Sequence, residues 1–176
     1  MSRAGPLEVL EFGRLSEPQR AELEAGEEDP FDAAGNTLQW RPKDRHVVLG
    51  RPDGTLVASA GLVLGELHAG DASRVPFVGI GGVFVTAGCR GQGLGNRIIT
   101  EALRRAATLG PPLALLFCHR DRAELYDKHG FAEIDPPVLI RQPDGYVQCP
   151  MVAMWRNLGG GATLPAGQVT VHSLPF

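Results

Sequence analysis

The sequence predicts an α/β fold: one mixed sheet with helices packed on its faces. Three observations carry this. Strand-like segments joined by hairpin turns fill much of the first half. A helical period opens at Leu94. An unbroken apolar run, 113–117, follows that helix, as expected of a strand buried on both faces. At 176 residues, 43% hydrophobic and 21% charged, the chain can bury about 70% of its unfolded surface as a single domain spanning 1–176.

The elements follow in order. Residues 7–15 read as a first strand. Ser16-Glu17-Pro18-Gln19 forms a capping-box signature, so a short helix should follow and end near Gly26. Residues 27–36 are acidic and turn-rich, hence a loop. Strands 46–51 and 56–67 flank Pro52-Asp53-Gly54-Thr55, a hairpin signal. After a polar loop, 75–86 reads as a long strand with a glycine-rich middle. Leu94, Ile98, Ala102 and Ala106 then fall on one helical row, with Ile99 and Leu103 beside them, until Gly110-Pro111-Pro112 stops the helix. Asp121 and Glu124 can cap a second helix ending at Gly130. Strands 138–142 and 146–155 flank Pro143-Asp144-Gly145; Pro150 would interrupt the ladder, which predicts a bulge or an edge position. Gly159-Gly160-Gly161 is a joint, and 168–172 a last strand. The core is expected over 7–155 and a C-terminal extension over 159–176. No repeat, low-complexity tract or domain linker is evident.

Composition narrows the function. A net charge of −3 argues against a nucleic-acid partner. Cys89, Cys118 and Cys149 are odd in number and widely spaced, which suggests neither a zinc site nor a disulfide framework; reduced thiols in a cytoplasmic protein are the expectation. Residues 1–12 lack a signal-peptide core, and no apolar run approaches the ~18–20 residues that span a bilayer, so no membrane association is expected.

The chemistry concentrates in Arg90, Gly91, Gln92, Gly93, Leu94, Gly95 and Asn96, between a strand and a helix start. The first turns of a helix leave N–H groups without internal partners, at the positive end of the macrodipole. Glycines clear the side chains that would keep an anion away. The local physics predicts a cradle for a phosphate or pyrophosphate. A nucleotide P-loop would need GxxxxGK[ST], which is missing here. A dinucleotide fingerprint would need glycine where Asn96 stands, after a first strand and not a fourth.

RxxGxG at 90–95, after a strand ending Val83-Phe84-Val85, resembles the acyl-CoA signature of the GNAT superfamily of N-acetyltransferases. Downstream, Leu125-Tyr126-Asp127-Lys128-His129-Gly130-Phe131 is similar to the LYxxxGF segment of that family. With the strand order, the resemblance covers about 7–155. It implies a mixed, mostly antiparallel central sheet with helices on both faces, whose fourth and fifth strands splay apart. It implies acetyl-CoA as cosubstrate with no metal, its pantetheine bound by Val83, Phe84 and Val85 and its pyrophosphate by the N–H groups of Gly91 to Asn96. The reaction implied is direct attack of a neutral amine on the acetyl carbonyl, polarised by the Val85 or Phe84 N–H, with Tyr126 protonating the leaving thiolate.

One departure stands out. Many members carry a glutamate base where this chain has Gly81. Here Gly81 and Gly82 leave room for a bulky substrate or a close backbone approach. His119, an imidazole just past the buried strand, suits a base or a pantetheine contact; Glu66 and His68 are further candidates. The tail loosely resembles the aminoglycoside 2′-N-acetyltransferase branch. A Phe176 carboxylate reaching the cleft could bind a cationic amine, as could Asp29, Asp32 and the 24–28 acidic cluster. Polyamine, amino-acid, small-amine and peptide acceptors stay open, and a homodimer is among the assemblies the family uses. The rival readings are a catalytically silent acyl-CoA-binding or regulatory module, and a nucleotide-binding protein using the same loop.

Overall fold

The structure, a computed structural model, describes residues 5–28 and 35–176. Ten strands form one sheet among these residues. β1 (Glu8–Phe12) pairs with β2 (Arg45–Gly50), and β2 with the first half of β3 (Leu56–Ala69), all antiparallel. β3 runs antiparallel to β4 (Val75–Val85). β4 crosses over through α2 (Leu94–Ala106) to the parallel β5 (Leu113–Cys118). β5 pairs with β9 (Val152–Asn157), which borders the short β6 (Ala132–Glu133). Against the second half of β3 lies β10 (Val169–Val171), then β7 (Val138–Gln142) and β8 (Gly145–Gln148). Only β4–β5 and β10–β7 are parallel.

The helices cover both faces. On α2, Ile98, Ile99, Ala102, Leu103 and Ala106 are buried against Val47, Leu49, Val78 and Ile80. On the other face Leu23 of α1 (Glu17–Glu24) joins Val48, Leu56 and Phe84. Successive residues 47, 48 and 49 thus point alternately to the two helices, as strand pleating requires. The capping box forms: the Gln19 N–H donates to Ser16 Oγ (3.3 Å) and the Ser16 N–H to Gln19 Oε1 (2.8 Å). Such a cap stabilises by about 1 kcal/mol. The 52–55 hairpin closes by an Arg51 N–H donated to the Thr55 carbonyl (2.8 Å), with Gly54 at φ +90°.

Three expectations change. The apparent strand 146–155 is two strands at distant places in the sheet, β8 beside β7 and β9 beside β5. Pro150 falls in the crossing between them, where its missing N–H costs no ladder bond. The second helix is a 3-10 turn (Arg120–Arg122) running into α3 (Ala123–Asp127); neither Asp121 nor Glu124 caps it, and it ends before Gly130. β6 carries no sequence signal, being two residues long.

Candidate active site

β4 and β5 keep register only from Phe77 to Gly79 against Leu113 to Leu115. Beyond Gly79 they separate, and among the described residues no strand meets the freed edge of β4. Opposite β3 the register runs Gly61 to Gly81, then Ser59 to Phe84, so one extra residue bulges from β4; Gly82 sits there at φ +57°. Beyond the bulge the Thr86 N–H donates to the Val57 carbonyl (3.0 Å). By the alternation of an antiparallel ladder, Val85 therefore turns its N–H and C=O toward the gap. Unpaired strand edges of this kind are ready to accept an extended chain. Arg90 guards this edge. Its Nε donates to the Val85 carbonyl (3.0 Å), its guanidinium pairs with Glu27 (2.6 Å), and it lies 5.4 Å from the Phe84 ring centroid.

The glycine loop follows. Gly91 and Gly93 take positive φ, +76° and +75°, which L side chains rarely adopt. Gly93 is the N-cap of α2 and offers no side-chain acceptor. Among the described residues no acceptor meets the N–H groups of Gly91, Gln92 or Gly93. A Cβ at Gly91, Gly93 or Gly95 would meet nothing within 4 Å, so the loop faces open space. A cleft of about 500 Å³ runs along it, lined by Gly91, Gly93, Leu94 and Gly95 and by Val83, Phe84 and Val85. Gln92 and Asn96 do not line it; the Asn96 side chain meets His129 Nε2 at 3.0 Å.

A second cleft, about 670 Å³, opens on the other side of the gap. Gly81, Gly82, His119, Tyr126 and Phe176 all line it. Val83, Phe84, Arg122 and Tyr126 belong to both clefts. Burial, and then Cys118, push the Tyr126 phenol up to about 12, so it stays protonated through the neutral range. The Phe176 ring is buried between Phe77 and Phe117, at centroid distances of 5.7 and 5.1 Å. A Cβ at Gly81 would stand 2.5 Å from the main-chain carbon and oxygen of Phe176. Of the two roles open to Gly81, the structure shows close backbone approach.

Other candidates lie elsewhere. Glu66 pairs with Arg74 (3.0 Å), and His68 with His172, at the far end of β3; neither lines either cleft. Asp29 and Asp32 fall outside the described residues. Glu24 lines the larger cleft and Glu27 the smaller; Glu28 lines neither. Sequence reasoning missed Lys43 and His46, which line the larger cleft. Burial and then Arg41 lower Lys43 to about 8, and burial, Lys43 and Arg20 lower His46 to about 4. Lys43 lies before β2 in a segment without periodicity, and the strand pattern that includes His46 does not tell which cleft its side chain meets. The three cysteines are free and buried. Among the described residues no three His, Cys, Asp or Glu gather as metal ligands, and no helix is long and apolar enough to cross a membrane.

Residues 13–131 match the model of the "Acetyltransferase (GNAT) family". A stretch of 54 residues is 41% identical to a Bacillus subtilis (strain 168) protein, YwnH, provisionally named a phosphinothricin acetyltransferase. It covers 29% of this chain and 33% of that protein. The fold is similar to the Escherichia coli GNAT family N-acetyltransferase YhbS, solved in complex with CoA: TM-score 0.58, 16% identity, 98% of this chain and 94% of that one. It is also similar to a GNAT acetyltransferase of Staphylococcus aureus MU50: TM-score 0.55, 12% identity, 86% and 100%. A family match over most of the chain, on a sheet whose β4 and β5 part beyond Gly79, establishes that this protein belongs to the GNAT family of N-acetyltransferases, whose donor is acetyl-CoA.

Proposed function

We propose that the protein transfers the acetyl group of acetyl-CoA to a primary amine of a small molecule or peptide by direct attack on the thioester. One observation carries the reading: two clefts, one along the glycine loop and one on the opposite side, share Val83, Phe84, Arg122 and Tyr126. Donor and acceptor enter by separate routes and their reacting atoms meet at these residues.

The pyrophosphate rests on the N–H groups of Gly91 to Asn96 at the start of α2. The pantetheine arm adds to the free edge of β4 as an extra strand. Val85, nearer the loop, contacts the arm. Its N–H, turned to the gap, polarises the thioester oxygen where negative charge develops. The acceptor ammonium gives its proton to His119, directly or through water. The nitrogen lone pair then forms the C–N bond and the C–S bond breaks. Tyr126 protonates the departing sulfur and is reprotonated by the proton that the new amide nitrogen sheds; a phenol held near 12 gives up its proton only as thiolate charge develops. Gly81, Gly82 and Phe176 form the acceptor wall.

The test is release of free CoA thiol from acetyl-CoA over a library of amino acids, polyamines, peptides and aminoglycosides. At least one class should release thiol, and Tyr126→Phe should lower kcat by about 100-fold or more without changing acetyl-CoA affinity. A protein that binds acetyl-CoA yet releases no thiol with any amine is a silent acyl-CoA-binding or regulatory module. One from which ATP readily displaces acetyl-CoA uses the loop for nucleotides.

A further inference from the structure

The acceptor cleft is basic in a chain whose net charge is −3. Among the described residues Arg14, Arg20, Arg41, Lys43 and Arg122 line it, against Glu24 and Asp121. Arg41 is held by both oxygens of Asp44 (2.8 and 3.0 Å), and Arg122 lies 3.9 Å from Asp121.

Lys43 differs. A Cβ at Gly61 would come within 2.2 Å of Lys43 Cγ, and one at Gly81 within 3.1 Å of its Cε. Two glycines on neighbouring strands, paired in register, thus hold a slot open for its stem. Among the described residues no carboxylate lies within ion-pairing distance of its ammonium. Burial is the larger cause that lowers both the Lys43 and the His46 pKa, and the neighbouring cations, Arg41 for Lys43 and Lys43 and Arg20 for His46, add to it. A desolvated cation without a partner costs free energy in the empty protein, and a ligand anion removes that cost. The Phe176 main-chain oxygen, an acceptor for N–H groups, comes to the same place beside Gly81.

Resting on the N-acetyltransferase reading, we infer that the acceptor is an amine carrying a carboxylate one or two carbons away, as in an α- or β-amino acid. Lys43 binds the carboxylate and the Phe176 main-chain oxygen receives an N–H of the amine. A polycation would instead set its additional ammonium groups against Arg14, Arg20 and Lys43.

The experiment uses the standard α-amino acids, each paired with its decarboxylated amine, together with spermidine. Binding to the CoA-loaded protein is measured by calorimetry, and thiol release from acetyl-CoA in parallel. The carboxylated member of the accepted pair should bind about 10- to 100-fold more tightly than its partner. Lys43→Met should abolish that preference and Lys43→Arg keep part of it, both with unchanged CoA affinity, which also verifies their folding. Equal binding within pairs, stronger binding of the decarboxylated amine or of spermidine, a preference that survives Lys43→Met, or no binding by any carboxylated amine overturns the inference. Thiol release without the preference overturns it and leaves the N-acetyltransferase reading standing. Selective binding without thiol release does the reverse.

Discussion

Replacing Gly81 by alanine tests the packing that shapes the acceptor cleft. The added Cβ would stand 2.5 Å from the main-chain carbon and oxygen of Phe176 and 3.1 Å from Lys43 Cε. Carbon contacts are comfortable near 3.5–4.0 Å, so the Phe176 main chain must retreat by about 1 Å. It cannot swing aside like a flexible tip, because its ring is only 2% exposed and wedged between Phe77 and Phe117. Overpacking of this kind costs roughly 1–3 kcal/mol. For a domain of this size that lowers Tm by roughly 2–12 °C. The acceptor KM should rise with it, since the displaced tail is a cleft wall. Gly81→Glu, which places a carboxylate at this position, meets the same obstacle and should lose acceptor binding without gaining a base. Gly95→Ala is the matched control. Nothing lies within 4 Å of its Cβ and its φ is not positive. Alanine favours a helix over glycine by about 1 kcal/mol, so Tm should hold or rise. Acetyl-CoA affinity should nevertheless fall, because a methyl group stands between phosphate and N–H. Scanning fluorimetry and steady-state kinetics on one set of preparations give all four quantities. A Gly81→Ala protein with wild-type Tm and wild-type acceptor KM would refute the close approach.

Lys43 has a folded pKa of about 8 against an ordinary 10.5. Between those values the unfolded chain binds more protons, so stability rises with pH, and the cost of the charged lysine is fully present below about 8. Lys43→Met should therefore raise urea stability at pH 7 by about 1–3 kcal/mol, a gain that fades as pH rises from 8 to 10.5. His46, near 4 when folded against 6.5 ordinarily, costs nothing at neutral pH and destabilises as pH falls from 6.5 to 4. His46→Asn should move the acid-unfolding midpoint to lower pH, read by circular dichroism. Phe176→Ala should cost about 3–5 kcal/mol in chemical denaturation and raise the acceptor KM, with acetyl-CoA affinity little changed. Gly93→Ala, forced to φ +75°, should cost about 1–2 kcal/mol and weaken acetyl-CoA binding in calorimetry.

What could be read in advance was what local chemistry determines. Ser16 and Gln19 announced a helix start because both partners of the cap lie within four residues. The row Leu94, Ile98, Ala102 and Ala106 announced α2 because one face is buried continuously. The open glycine loop was legible because glycine at 91 and 93 has few uses besides positive φ and open N–H groups. Lys43 was not legible. Its position depends on Gly61 and Gly81, which become neighbours only when β3 and β4 pair. The meeting of Phe176 with Gly79 and Gly81 likewise joins residues nearly a hundred positions apart. Pro150 was read as a fault within one strand because sequence cannot show that its two flanks pair with different partners.

The glycines of β4 resolve into separate tasks that a uniform strand reading hides. Val78 and Ile80 face α2, so pleating turns Gly79 and Gly81 to the opposite face, where the tail packs. Unbroken pleating would send Val83 and Val85 to the tail's side as well. They pack instead with the α2 cluster, and Phe84 turns to α1. The bulge at Gly82 accounts for the reversal, because one extra residue inverts every later side chain. The strand thus presents bare backbone to the larger cleft before the bulge and a free edge to the smaller cleft after it, so one rigid element lines both. A side chain at Gly82 would oppose the positive φ that makes the inversion possible.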